Sequence, residues 1–137
     1  MDLKRSSTKT IALILNDLCG PFYSELIKGV QEVTIANGND LIACSSLGDP
    51  DSTAVKFLKE KRVDGVIILA SNVNDDIIET SQRKGFPIVL LDRYLEGDCL
   101  LNVQVDNEQG GYLATKHLLD QGHRKVAYIS GISLFFV

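Results

Sequence analysis

The sequence predicts an α/β fold: a doubly wound parallel sheet in a three-layer αβα arrangement. Two observations predict it. Short, continuously apolar runs, the pattern of strands buried on both faces, alternate with segments whose apolar residues recur at helical spacing. Strands separated by helices need crossover connections, which join parallel neighbours with a right-handed turn.

The elements follow in order. Ile11-Ala12-Leu13-Ile14-Leu15 is an apolar run of strand length with polar flanks. Phe22, Leu26, Ile27, Val30 and Val33 then recur as on one face of a helix. Gly20-Pro21 precedes that helix, where proline's missing N–H costs least, and Asn37-Gly38 ends it with residues that tolerate a left-handed backbone. Residues 41–44 read as the second strand. Asp51 or Ser52 caps a helix that carries Val55 and Leu58 and closes on Lys59, Lys61 and Arg62. Residues 63–69 form the third strand, with Gly65 inside it. Asn74 or Asp75 caps a short helix with Ile77 and Ile78, ended by Gly85. Residues 87–91 and 101–105 are the fourth and fifth strands. Asp106-Asn107 opens a helix with Ala114, Leu118 and Leu119 on one face, stopped by Gly122. Residues 126–129 are expected as a sixth strand.

The bulk numbers narrow the function classes. A chain of 137 residues is long enough for one domain with a core, and 45% apolar with 23% charged residues is ordinary for a globular protein. A formal charge of −4 repels phosphate backbones, so this segment is not expected to be the part that grips nucleic acid. The local basic cluster of Lys4, Arg5 and Lys9 reads as a solvated tail. Cys19, Cys44 and Cys99 are odd in number and match no zinc spacing. They are expected as buried free thiols, in keeping with a reducing cytoplasm. No apolar stretch is long enough for a membrane span, and the polar N-terminus lacks the core of a secretory signal. A cytoplasmic location with no membrane partner is therefore expected.

In doubly wound sheets ligands bind beyond the carboxyl ends of the strands. The candidate loops are 16–23, 45–51, 70–75, 92–96 and 106–110. The first, Asn16-Asp17-Leu18-Cys19-Gly20-Pro21, has neither the dinucleotide nor the P-loop glycine pattern. Ala70-Ser71 stands where a phosphoacceptor domain would carry an aspartate. His117 and His123, six residues apart, do not share a helical face, and His123 reads as a helix-end residue. Asp49, Asp51, Asp75 and Asp76 read as helix-start carboxylates. No nucleophile–base pair stands out, so no catalysis, cofactor or metal is expected.

Several residues in these loops could hold a ligand. Asp17 lies in the first of them. Phe22 and Tyr23 could stack on a sugar or heterocycle, or pack in the core, with one facing inward. Asp92-Arg93 directly follows a buried strand, where it could bond a hydroxyl-rich or anionic ligand or form a surface ion pair. Asp106 could bind a ligand hydroxyl or cap the following helix.

These residues carry a resemblance to the LacI-type regulator family that runs from about Leu3 to Gly131. Its carriers are the run from Thr10 to Leu15, Asn16-Asp17, and Gly20-Pro21-Phe22-Tyr23-Ser24-Glu25-Leu26-Ile27-Lys28-Gly29. Further on come Lys61-Arg62-Val63-Asp64-Gly65-Val66-Ile67, Pro87-Ile88-Val89-Leu90-Leu91-Asp92-Arg93, Val105-Asp106-Asn107 and Gly122-His123-Arg124-Lys125-Val126-Ala127. The resemblance implies the first lobe of a two-lobed, periplasmic-binding-protein-like fold that takes a small effector, usually a sugar and sometimes a nucleobase, between its lobes. By position, Phe22 and Tyr23 match an aromatic pair that lines the cleft, and Ser71, Arg93 and Asp106 match cleft positions. The family is non-enzymatic and usually dimeric, and it binds operator DNA through an N-terminal helix-turn-helix and a hinge helix. Leu3, eight residues before Ile11, resembles the hinge leucine that wedges into the minor groove.

The resemblance further implies that residues 1–9 are a linker following a missing hinge helix and helix-turn-helix. Residues 10–125 are then the first lobe, and residues 126–137 the first strand of a truncated second lobe. Operator DNA would be reached only through the missing head. The ending Leu134-Phe135-Phe136-Val137 departs from the family, and as an apolar tail it is expected to add to a sheet edge or pair between chains. The expected function is the effector-sensing part of a DNA-binding regulator and a homodimer. The alternative is a sugar-binding protein of a membrane transport system, and a small α/β enzyme is a third reading.

Overall fold

The computed structural model describes residues 7–46, 52–60 and 62–130. Leu3, Asp51, Lys61 and the tail 132–137 lie outside the described residues. The chain divides into two compact units, Met1–Gln104 and Val105–Val137.

The first unit contains β1 (Thr10–Leu15), α1 (Pro21–Ala36), β2 (Asp40–Ser45), α2 (Thr53–Lys59), β3 (Gly65–Leu69), α3 (Asp75–Ser81), β4 (Ile88–Leu91) and β5 (Leu100–Val103). The five strands form one sheet in the order β2-β1-β3-β4-β5, and every pairing is parallel. The chain first steps outward from β1 to β2, then returns to the other side of β1 for β3. The direction of winding therefore reverses between β1 and β3, which is the switch point where such sheets open a crevice.

Burial follows strand position. Ala12, Leu13, Ile14 and Leu15 of the inner strand β1 are fully buried. Ala12, Ile14, Val66, Ile68, Ile88 and Leu90 pack with Leu58 of α2 and Ile78 of α3 in one apolar cluster. No residue of the edge strands β2 and β5 is fully buried; β5 alternates, and its Leu101 and Val103 are exposed.

The helix starts resolve the expected caps. Ser52 Oγ accepts from the Val55 amide, and Asn74 Oδ1 accepts from the Asp76 amide at 2.9 Å. The last turn of α2 carries the expected Lys59, beside Lys56, and Arg83 adds a side-chain closure at the ends of both α2 and α3. Its Nη1 donates to the carbonyls of Leu58 (2.6 Å) and Ser81 (3.1 Å), and its Nη2 to that of Glu60 (3.4 Å). The guanidinium also stacks 3.8 Å from the ring centre of Phe86. One side chain thus ties together the carbonyl ends of two helices. Arg62 instead pairs with Glu60 at 2.5 Å.

Several expectations are corrected. The helix expected to run to Gly85 ends at Ser81, and Gly85 (φ 78°) makes the tight turn between Arg83 and Phe86. On α1, Phe22 and Val33 are 63% and 66% exposed. The inward line is Tyr23, Leu26, Ile27, Val30 and Thr34. Thr34 can join it because its hydroxyl donates to the Val30 carbonyl at 2.7 Å and needs no other partner. The cysteines are not buried: Cys19 is exposed, and Cys44 and Cys99 are half-buried. The third strand starts at Gly65, the fourth at Ile88, and the fifth spans Leu100–Val103.

The second unit contains α4 (Asn107–Asp120). Asp106 Oδ1 caps it by accepting from the Gln109 amide at 2.8 Å. The expected sixth strand is absent: residues 123–130 have no regular secondary structure. An apolar run becomes a strand only when a neighbour completes its hydrogen-bond ladder, and residues 123–130 form no ladder.

Candidate functional site

The carboxyl ends of the strands meet at one loop, the one between β3 and α3. Val73 is fully buried and anchors it, and the Val73 amide donates to the Ala70 carbonyl at 3.3 Å. Three other strand ends are bonded to this loop. Asn16, directly after β1, donates from Nδ2 to Ser71 Oγ at 3.2 Å. Asn72 donates from Nδ2 to the carbonyl of Ser46, directly after β2. Arg93, just after β4, reaches the Ala70 carbonyl from Nη1 (3.4 Å) and Asp75 Oδ1 from Nη2 (2.5 Å).

Backbone geometry aims Arg93. Asp92 adopts a left-handed conformation (φ 53°), which Asp tolerates better than most side chains. Its amide donates to the Val103 carbonyl at 3.0 Å, so the end of β5 holds the turn in place. The Arg93 side chain is only 23% exposed, whereas that of Asp75 is 52% exposed.

The loop after β1 is shaped by Asp17, whose Oδ1 accepts from the Cys19 amide at 3.0 Å in a local Asx turn. Gly20 (φ 92°) then lets the chain enter α1. Phe22 and Tyr23 meet edge to face, with centroids 5.3 Å apart and planes at 84°. Of this pair Tyr23 takes the inward place and Phe22 the solvent.

The structure therefore joins Ser71 and Arg93 through one loop. Asp17 acts within its own loop. Asp106 lies in the second unit with its Oδ1 engaged in capping. Sequence reasoning missed Asn16, Asn72 and Asp75. Asn16 and Asn72 both sit at strand ends, where an amide can bridge loops. In the sequence Asp75 shows only as a helix-start charge, which it also is.

The chemistry on offer is recognition. An amide, a hydroxyl, a guanidinium and an exposed aromatic ring are the groups that bond sugar hydroxyls and cover an apolar sugar face. Ser71 Oγ faces an amide rather than a base, so it is not set up as a nucleophile. Among the described residues no group of three or more His, Cys, Asp or Glu could hold a metal ion. Partial burial pushes the Cys44 thiol above its usual pKa, the direction of a less reactive thiol. No helix among the described residues is long and apolar enough to cross a membrane.

This arrangement is that of a ligand-binding lobe, and comparison with known proteins agrees. The family described as periplasmic binding proteins and the sugar-binding domain of the LacI family matches residues 8–133, and the chain belongs to it. It is 37% identical over 134 residues to the HTH-type transcriptional repressor PurR of Photobacterium profundum, covering 96% of this chain and 40% of that protein. A sugar-binding transcriptional regulator of the LacI family from Enterococcus faecalis superposes with a TM-score of 0.69 at 32% identity, over 87% of this chain and 43% of the other. A LacI family transcriptional regulator from Enterococcus faecium, solved with bound ribose, superposes with a TM-score of 0.68 at 33% identity, over 83% and 42% of the two chains. The chain thus spans about two fifths of the length of these relatives.

Proposed function

We propose that this chain is the first lobe of the effector-sensing part of a LacI-type transcriptional regulator, and that its effector is a sugar. The linker is residues 1–9, the lobe is 10–125, and 126–137 begin the second lobe. Operator DNA is bound by a helix-turn-helix head, and the working unit is a homodimer in the cytoplasm. The protein senses rather than catalyses: closure of the two lobes on the effector and binding of the operator bias one equilibrium. The relatives described above carry regulator names, which favours this over a transport protein.

One observation carries the reading. The loop between β3 and α3 gathers Asn16, Ser71, Asp75 and Arg93 at the switch point. Phe22, Ser71 and Arg93 are assigned as effector contacts, with Asp17 and Tyr23 shaping the entrance. A nucleobase would use the same aromatic and polar groups, so the test compares the two.

The test is an NMR titration of the 15N-labelled chain with D-ribose and, separately, with adenine. A single lobe supplies only part of the contacts, so affinity of about 1 mM or weaker is expected, worth ~4 kcal/mol. Ribose-induced shifts confined to residues near Asn16, Phe22, Ser71 and Arg93 support the reading. Shifts with adenine alone would replace the sugar by a nucleobase. No shifts at these residues with either ligand at saturating concentration would refute the site.

A further inference from the structure

At the opposite, amino edge of the sheet, Asp64 stands just before β3 and binds the chain just before β1. Its Oδ1 accepts from the Thr8 amide at 2.8 Å and the Thr8 hydroxyl at 3.0 Å. Its Oδ2 accepts from the Lys9 amide at 2.9 Å and the Ser7 hydroxyl at 2.5 Å. Two successive backbone N–H groups aimed at one carboxylate form an anion-binding concavity, and the left-handed Lys9 (φ 51°) curves the chain to make it. The bend is fixed on both sides. The Lys9 carbonyl accepts from the Asp40 amide at 2.7 Å, and the Asp64 amide donates to the Thr10 carbonyl at 2.8 Å.

We propose that Asp64 is a positioning residue whose carboxylate clasps Ser7, Thr8 and Lys9 and so fixes the direction from which the backbone enters the lobe. The clasp turns the lobe end of the linker from a slack tether into a directed arm. It also has a mechanical connection to the candidate site. β1 carries Thr10 beside the clasp and ends beside Asn16, which holds Ser71. Between them Ala12 to Leu15 are fully buried, so the strand links the two edges as a packed rod of about 20 Å. Ser7, Thr8 and Lys9 therefore turn with the lobe when the lobe turns. The clasp is independent of the effector reading; only its use in regulation rests on that reading.

The experiment is amide hydrogen exchange by NMR on the whole chain and on Asp64→Ala and Asp64→Asn. Asp64→Ala is expected to speed exchange at Thr8 and Lys9 by about tenfold or more, the loss of roughly one charge-assisted hydrogen bond at each amide, with Val66 and Ile68 unchanged. Asp64→Asn keeps one carbonyl oxygen, so it should free one of the two amides and leave the other protected. Unchanged exchange at Thr8 and Lys9 in Asp64→Ala overturns the clasp. A rise at Val66 and Ile68 equal to that at Thr8 and Lys9 overturns the positioning role, because Asp64 would then serve sheet stability as a whole. A tryptic cut after Lys9 in Asp64→Ala but not in the parent chain is the matching expectation, and equal resistance of the two counts against it.

Discussion

Arg93 and Asp75 face each other at the carboxyl edge of the sheet, with Nη2 2.5 Å from Oδ1, so the end of β4 is bonded to the first residue of α3. Two of the five guanidinium donors of Arg93 are accounted for by Asp75 and the Ala70 carbonyl. Under the proposed function the other three serve the effector. The carboxylate at the helix N-terminus gains from the helix dipole as well as from the arginine.

This pair predicts a separation of stability from binding. Asp75 is half-exposed, so Asp75→Asn should cost only ~0.5 kcal/mol of stability in urea denaturation. The loss should appear in the ligand shifts at Arg93 instead. A cost several times larger, with ribose shifts intact, would mean that the pair is a structural tie and not a ligand support.

Leu13 lies on the inner strand β1 with no exposed surface. Leu13→Ala removes buried methyl groups where neighbouring strands leave little room to collapse. The expected loss is about 2–5 kcal/mol, read from the urea midpoint at constant slope.

Arg83→Lys tests the junction of α2 and α3. Lysine keeps the charge but cannot fork across the carbonyls of Leu58, Ser81 and Glu60 or stack flat on Phe86. A destabilisation of about 1.5–3 kcal/mol is expected, with Arg83→Ala no better than Arg83→Lys. Near-neutral behaviour of the lysine variant would show that charge alone suffices.

Asp64 gives a pH dependence. The hydroxyl of Ser7 and the amide of Thr8 hold its carboxyl below its ordinary pKa. A lowered folded-state value means that the unfolded chain takes up the proton first as pH falls. The stabilisation is thus complete above the unfolded carboxyl value of about 3.9. It is lost as pH falls through the lower folded value. Urea midpoints measured down the acid range should fall less steeply for Asp64→Asn than for the parent, and identical slopes would count against the effect.

Much of the sheet is readable in sequence because its strands are short apolar runs set between glycines, prolines and capping residues. Ser52, Asn74 and Asp106 cap helices for the same local reason. What escapes is what depends on distant neighbours. Thr34 joins the buried line of α1 only because Val30 satisfies its hydroxyl. The run from Val126 to Ile129 has strand composition but no ladder, which composition cannot reveal. The partners of Arg93 lie far back in the chain, and those of Asp64 farther still. No periodicity announces that Asn16 and Asn72 will meet neighbouring strand ends, although the switch-point rule does mark their loops.

The junction at the loop between β3 and α3 has a consequence for descent. Asn72 and Arg93 grip main-chain oxygens, those of Ser46 and Ala70, and every amino acid supplies such an oxygen. The positions that receive these grips can therefore be exchanged without undoing the junction. A lineage carrying this lobe can alter the lining side chains, and with them the molecule it answers to, while inheriting the frame unchanged.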